Sequence, residues 1–381
     1  MKNHGRASVH EFLGDFIVYR NLVPMDGRLP PLRRIWEAAA VAQGVIPRKS
    51  EPAYARVIAH LLREARQLGD APGALQRLVY VGDTRLNDGT AFANLCSAGG
   101  WPGLAFIAAE RDGPQQLEFV PVTTAGGEAA TMCLSNRWAA LAGFDHYCRE
   151  RGFAIGPDTA VIVDLDKTAV GARGRNDQVI DRARVEAVRR TVGGLLGTGF
   201  DQEGFQRAYD LLNQPDFHPF TADNQDYLAY VCLILGSGLY GLDPLVRRIE
   251  AGEMGSFRQF IEEVDSRRSG LSLDLRAIHQ DIVERVRAGD PTPFKAFRYN
   301  EYQTTVERMG CLDDGAAAED MLQDEIVITQ EVRAMALAWR EQGALLFGLS
   351  DKPDEASIPS TELAAQGYQP IHRTETHAVG E

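Results

Sequence analysis

Five short apolar runs punctuate the chain, at 78–81, 104–108, 117–122, 160–163 and 344–349. Their length and their polar or turn-forming borders are those of strands in a sheet. The run at 160–163, Ala-Val-Ile-Val, is made of small and β-branched residues only, the way a strand buried on both faces reads. Between these runs apolar positions recur at helical spacing. Tyr54, Val57, Ile58, Leu61, Leu62 and Ala65 share one face of a helix predicted over 52–68. Leu32, Ile35, Trp36 and Ala39 predict another over 32–43, stopped by Gly44. A third starts near Gly89, and a fourth covers 134–151, after a glycine-rich loop at 123–130. A turn is expected over 69–73. The first 30 residues are weakly patterned, with a strand or short helix somewhere over 12–19.

From 171 to about 342 the strand pattern disappears. Helical spacing predicts helices over 181–196, 202–212, 227–235, 257–264, 273–287, 292–309 and 319–342. After the run at 344–349 the chain holds one more helix, one strand and a polar tail. Strands alternating with helices, interrupted once, predict an α/β protein: a three-layer, Rossmann-like parallel sheet core over 1–168 and 343–381, with an all-helical domain inserted at 169–342.

Composition narrows the function classes. At 381 residues the chain is long enough for two domains or one domain with a large insertion. A net charge of −13 leaves no electrostatic footprint for nucleic acid or an anionic membrane, and an anionic substrate needs a locally positive site or a metal to offset it. Five cysteines, none in a CxxC pair, read as thiols in a reducing compartment. No apolar run approaches the roughly 20 residues that span a bilayer. The first residues, MKNHGRASVHEF, lack a signal-peptide core, so a cytoplasmic location is expected.

The chemistry sits where strands end. The 160–163 run delivers Asp164-Leu165-Asp166-Lys167-Thr168. The 78–81 run delivers Gly82-Asp83 with Asp88 five residues on, and the 344–349 run delivers Ser350. Lys49 precedes the helix that feeds the Asp83 strand. In open α/β sheets, groups beyond the carboxyl ends of the strands meet the ligand. Carboxylates so gathered repel one another unless a cation lies among them, and oxygen ligands suit Mg²⁺. A carboxylate can attack phosphorus, a second can serve as acid and base, and a hydroxyl and an ammonium can hold phosphoryl oxygens.

These residues resemble a known pattern. Asp164-Leu165-Asp166-Lys167-Thr168 is similar to the DxDxT first motif of the haloacid dehalogenase superfamily. Leu346-Phe347-Gly348-Leu349-Ser350 resembles its second motif, and Lys49 followed by a helix and Val79-Tyr80-Val81-Gly82-Asp83…Asp88 resembles the third and fourth. The resemblance implies Asp164 as nucleophile and Asp166 as general acid/base. It implies phosphoryl binding by Ser350 and Lys49, with Thr168 beside them steadying the loop. It implies a Mg²⁺ site of Asp164, Asp166 through its backbone carbonyl, Asp83 and Asp88, the last directly or through water. The family runs first, second, third, fourth motif, whereas this chain runs third, fourth, first, second. The resemblance therefore implies a circularly permuted core, with the helical insertion in the place of a substrate-selecting cap.

The expected activity is hydrolysis of a small phosphorylated metabolite, a phosphomonoester. The alternatives are a phosphomutase or phosphotransferase using the same groups, and a non-catalytic scaffold binding a phosphorylated ligand or a protein. Lys352, two residues after Ser350, rivals Lys49 as the phosphate-binding lysine. Arg173 and Arg175 follow the first motif closely and are either substrate contacts from the cap or part of a solvated turn. Nothing in the sequence fixes the substrate or the oligomeric state.

Overall fold

The computed structural model describes residues 1–69 and 73–381; the expected turn over 69–73 falls mainly on residues outside that range. Ten strands are formed: β1 (Lys2–Ala7), β2 (Ile17–Val18), β3 (Arg77–Gly82), β4 (Gly103–Ala108), β5 (Leu117–Pro121), β6 (Ala130–Ser135), β7 (Thr159–Asp164), β8 (Ile328–Thr329), β9 (Leu345–Leu349) and β10 (Thr376–Gly380). Seven of them make the central sheet, in the order β2-β9-β7-β3-β4-β6-β5. All neighbours in it are parallel except the edge pair β6 and β5.

Alternation along the strands builds three layers. Ala160 and Ile162 of β7, with Ala105 and Ile107 of β4, face a core shared with helices Pro52–Leu68 and Asn87–Gly99. Phe106 points the other way and meets Trp138 and Phe144 edge-on or tilted. On that side Trp339 Nε1 donates to Asp145 Oδ1 at 2.7 Å, tying helix Gln330–Glu341 to helix Leu141–Glu150. A strand such as β7, buried along its whole length, needs the run of small and β-branched residues seen at 160–163.

The chain divides into two compact units, residues 1–182 with 305–381, and residues 183–304. The second is helical among the described residues, with its own core of side chains such as Tyr230, Phe257, Phe260 and Phe297. The sheet-bearing unit thus reaches further than the expected borders at 169 and 342. Backbone bonds explain this: Gly171 N donates to Val327 O and Thr329 N to Ala169 O, both at 2.9 Å, and β8 pairs with β10.

Several local expectations are corrected. Residues 134–151 are not one helix: β6 occupies Ala130–Ser135 and the helix begins at Leu141. The helix expected over 32–43 stops at Ile35, after which the chain turns and Ala40 adopts a left-handed φ of 50°. The stretch 319–342 is two helices, Ala318–Asp324 and Gln330–Glu341, separated by β8. The weakly patterned start folds as β1, helix Val9–Leu13 and β2. β1 and β10, the two ends of the chain, pair antiparallel with Lys2 opposite Gly380.

Candidate active site

β7 lies between β9 and β3, so Asp164, Ser350 and Asp83 leave three adjacent parallel strands at the same end of the sheet. The register makes the levels match: Asp164 sits beside Leu349, and Val163 beside Val81. Past Asp164 the chain closes a tight loop. Val170 N donates to Leu165 O at 3.0 Å and Ala169 N to Asp164 O at 3.2 Å, and Lys167 takes a left-handed φ of 63°.

Lys49 lies in the turn that precedes helix Pro52–Leu68 and is buried. Its Nζ donates to Asp164 Oδ1 at 2.5 Å and to Asp88 Oδ1 at 2.6 Å. It also stands 5.7 Å from the centre of the Tyr80 ring. Asp88 is saturated with donors. Besides Lys49, the Tyr80 hydroxyl donates to Oδ1 at 3.0 Å, while Oδ2 accepts from Asp83 N (3.0 Å), Thr84 N (2.8 Å) and Thr84 Oγ1 (2.8 Å). Asp88 thereby folds back over the end of β3, and Gly82 makes room: a Cβ there would stand 2.7 Å from Asp88 Cγ. One carboxylate oxygen from each of Asp83, Asp88 and Asp164 lies within 4.8 Å of the others, the one such acidic cluster among the described residues. Arg173 Nε donates to Asp83 Oδ2.

Electrostatics divide the three carboxyls. Burial, opposed by Lys49 and reinforced by Asp88, pushes Asp164 up to about 7. Burial, with the charges of Asp164 and Asp88, pushes Asp83 up to about 8 despite Arg173. Burial also acts to raise Asp88, but the Lys49 ammonium and the backbone donors outweigh it and hold Asp88 below the usual carboxylate range. Lys49 is raised well above an ordinary lysine, because Asp164 and Asp88 overcome its desolvation. The cluster gathers three carboxylates against two cations, Lys49 and Arg173, and this excess of negative charge is part of what raises Asp164 and Asp83. A divalent cation fits it: Asp83 and Asp164 offer carboxylate oxygens, whereas the fully engaged Asp88 fits a supporting role.

The remaining expected residues take distinct places. Ser350 is buried; its N donates to Val18 O at 3.0 Å and its Oγ accepts from Lys352 N at 3.1 Å. With Asp166 it lines a cleft shared by Tyr19, Thr305, Lys352 and Ser357. Lys352 Nζ donates to Thr305 Oγ1 at 3.2 Å, so the lysine on Asp164 is Lys49 and not Lys352. Thr168 is fully buried inside the loop, where its carbonyl accepts from Thr329 Oγ1. Arg175 is no exposed substrate contact either. Its Nη1 donates to Glu331 Oε2 at 2.9 Å and its Nη2 to Glu110 Oε2 at 3.1 Å, in a buried ion-pair network. Arg173 and Arg175 both belong to the sheet-bearing unit and not to the helical one.

Sequence reasoning missed Tyr80, Thr84 and the clearance at Gly82. Only the glycine left a signal, since the chain writes Gly-Asp at a strand end where a folded-back side chain needs space. No helix among the described residues is long and apolar enough to cross a membrane. The chain matches no family model, no curated protein and no solved structure.

Proposed function

We propose that the chain is a Mg²⁺-dependent phosphatase of the haloacid dehalogenase type, circularly permuted, acting on a small phosphomonoester. The observation that carries this reading is Lys49 clamped between Asp164 and Asp88, with Asp83 beside them, at the ends of adjacent parallel strands. The pairing of β1 with β10 supports the permutation, since a chain opened between two neighbouring elements has its new ends side by side. The helical residues 183–304 fall between Asp164 and Ser350, the point in the chain where the family carries its cap.

Asp83 and Asp164, with the Asp166 carbonyl, are the groups to hold Mg²⁺, which supplies positive charge against the phosphoryl oxygens when bound. Asp88 holds Lys49 and the amides of Asp83 and Thr84 in place. Asp164 attacks phosphorus; the bond to the ester oxygen breaks, and Asp166 gives that oxygen its proton. Asp166, now a carboxylate, takes a proton from water. That water attacks the aspartyl-phosphate, releasing inorganic phosphate and restoring Asp164. Lys49 and the Ser350 hydroxyl stabilise the charge that develops on the transferring group.

The test is release of inorganic phosphate, with and without Mg²⁺, from an aryl phosphate and a panel of phosphorylated metabolites. Turnover is expected to require Mg²⁺. Asp164→Asn should fall to background and Asp166→Asn should lose about 10²–10⁴-fold. An Asp164→Asn protein as fast as wild type rejects the mechanism, and isomer formation without phosphate release makes the enzyme a mutase instead.

A further inference from the structure

The two cations of the acidic cluster are held in different ways. Lys49 is buried and shared between Asp164 and Asp88, so it keeps Asp88 when Asp164 turns to another cation. Arg173 lies past the loop that follows β7, and its backbone is fixed beside the end of β4. Its N donates to Lys167 O at 2.8 Å, and its carbonyl accepts from Glu110 N at 2.8 Å and from Trp138 Nε1 at 3.2 Å. Gly174 lets these segments touch: it takes a left-handed φ of 76°, and a Cβ there would stand 2.1 Å from Glu110 O. The side chain is held far less firmly. Its guanidinium bonds Asp83 Oδ2 and no other side chain among the described residues, and it is 36% exposed where Asp83 is 7%.

Asp83 is thus a carboxylate that a divalent cation would draw on and that already carries a positive charge. Two cations on one carboxylate repel each other, and burial of the carboxylate weakens the screening between them. The guanidinium has water to retreat into, whereas Lys49 has none. We infer that Arg173 is the counter-cation that a divalent ion displaces from Asp83, and that it thereby sets how tightly the cluster takes that ion. This rests on the phosphatase reading, whose Mg²⁺ site it takes as given. Without the ion, Arg173 holds the Asp83 carboxylate in place; with it, the guanidinium turns outward on its fixed backbone.

Calorimetric titration of the full-length protein with Mg²⁺, in the absence of substrate, tests the inference. Arg173→Gln removes the charge and keeps a polar side chain. It should bind Mg²⁺ about three- to tenfold more tightly than wild type. Protons that enter the cluster instead do not reverse the sign, since losing a neighbouring positive charge favours a divalent ion about twice as much as a proton. Arg173→Lys keeps the charge and should stay near wild type. Wild-type or weaker affinity in Arg173→Gln overturns the inference, the weaker case by making Arg173 a support that orients Asp83. Arg173→Lys as tight as Arg173→Gln overturns it too, because the charge is then not what competes. A wild-type protein that takes up no Mg²⁺ overturns the phosphatase reading itself, and the inference with it.

Discussion

A carboxylate taken out of water gains a proton or a cation, and Asp83 and Asp164 are poised between the two. Their folded values of about 8 and about 7 stand above the ordinary 3.8 of an unfolded chain. Between those limits the metal-free folded protein holds protons that the unfolded chain has released. Its stability contribution from these groups is therefore complete below pH 3.8 and is lost as pH rises through 7 to 8. Mg²⁺ competes with the same protons, so the rise in melting temperature on adding it should be larger at about pH 8.5 than at about pH 6. A calorimetric series over pH measures this; an equal or larger rise at the acid end would remove the cation from the cluster. At this scale the sequence made Asp164, Asp83, Asp88, Lys49 and Ser350 legible, because each sits at a strand end or helix start that its neighbours announce. Arg175 misled because its partners lie far along the chain: Glu110 and Glu331 are 65 and 156 residues away.

The end of β3 and the turn that follows act as one element. Gly82 lets the Asp88 carboxylate fold back onto the amides of Asp83 and Thr84, and that carboxylate in turn holds Lys49. Gly82→Ala would drive a methyl group to 2.7 Å from Asp88 Cγ. The expected cost is about 1–3 kcal/mol of stability, with loss of Mg²⁺-dependent turnover as Lys49 loses its second partner. Denaturant unfolding and the phosphate-release assay check the two halves; an unchanged midpoint would mean that the turn yields freely. Strands whose burial dominates their composition, such as β7 and β4, could be read from the chain almost to the residue. β6 could not. Its sequence, Ala-Thr-Met-Cys-Leu-Ser, has one β-branched residue and runs toward a true helix, so the expected helix takes in Leu134 and Ser135 and no element is expected over 131–133. The short helix Leu32–Ile35 shows the reverse: the apolar spacing continues, but the backbone turns away before a second turn forms.

For the molecule as a whole, the helical residues 183–304 carry their own buried charge network. Arg298 Nε donates to Asp226 Oδ2 at 2.8 Å and Arg298 Nη1 to Glu301 Oε2 at 2.6 Å, with all three residues buried. Arg298→Met would leave Asp226 buried without a cation, while Glu301 keeps Arg184 at 3.2 Å, at a cost of about 3–5 kcal/mol. Amide exchange should then speed up in helices Gln225–Gly236 and Lys295–Val306, and unchanged protection there would show that the acids find other partners. The insertion itself was legible from the missing strand pattern, whereas its borders were not, because 169–182 and 305–342 are tied to the sheet by backbone bonds that no periodicity reveals. At the other extreme of the chain, the pairing of β1 with β10 sets how the protein answers to mechanical force. Tension applied through both ends acts across the β1–β10 pair and meets the Lys2–Gly380 rung first, then Asn3–Val379, so that ladder opens like a zip, while β10 is also held on its other side by β8. Only after those rungs have parted does the load reach the buried Glu325 carboxylate, whose Oε1 accepts from His377 N, His377 Nδ1 and Thr376 Oγ1. That carboxylate is the stop at the inner end of the zip: a protein tethered by its two ends would yield early and softly, and then hold.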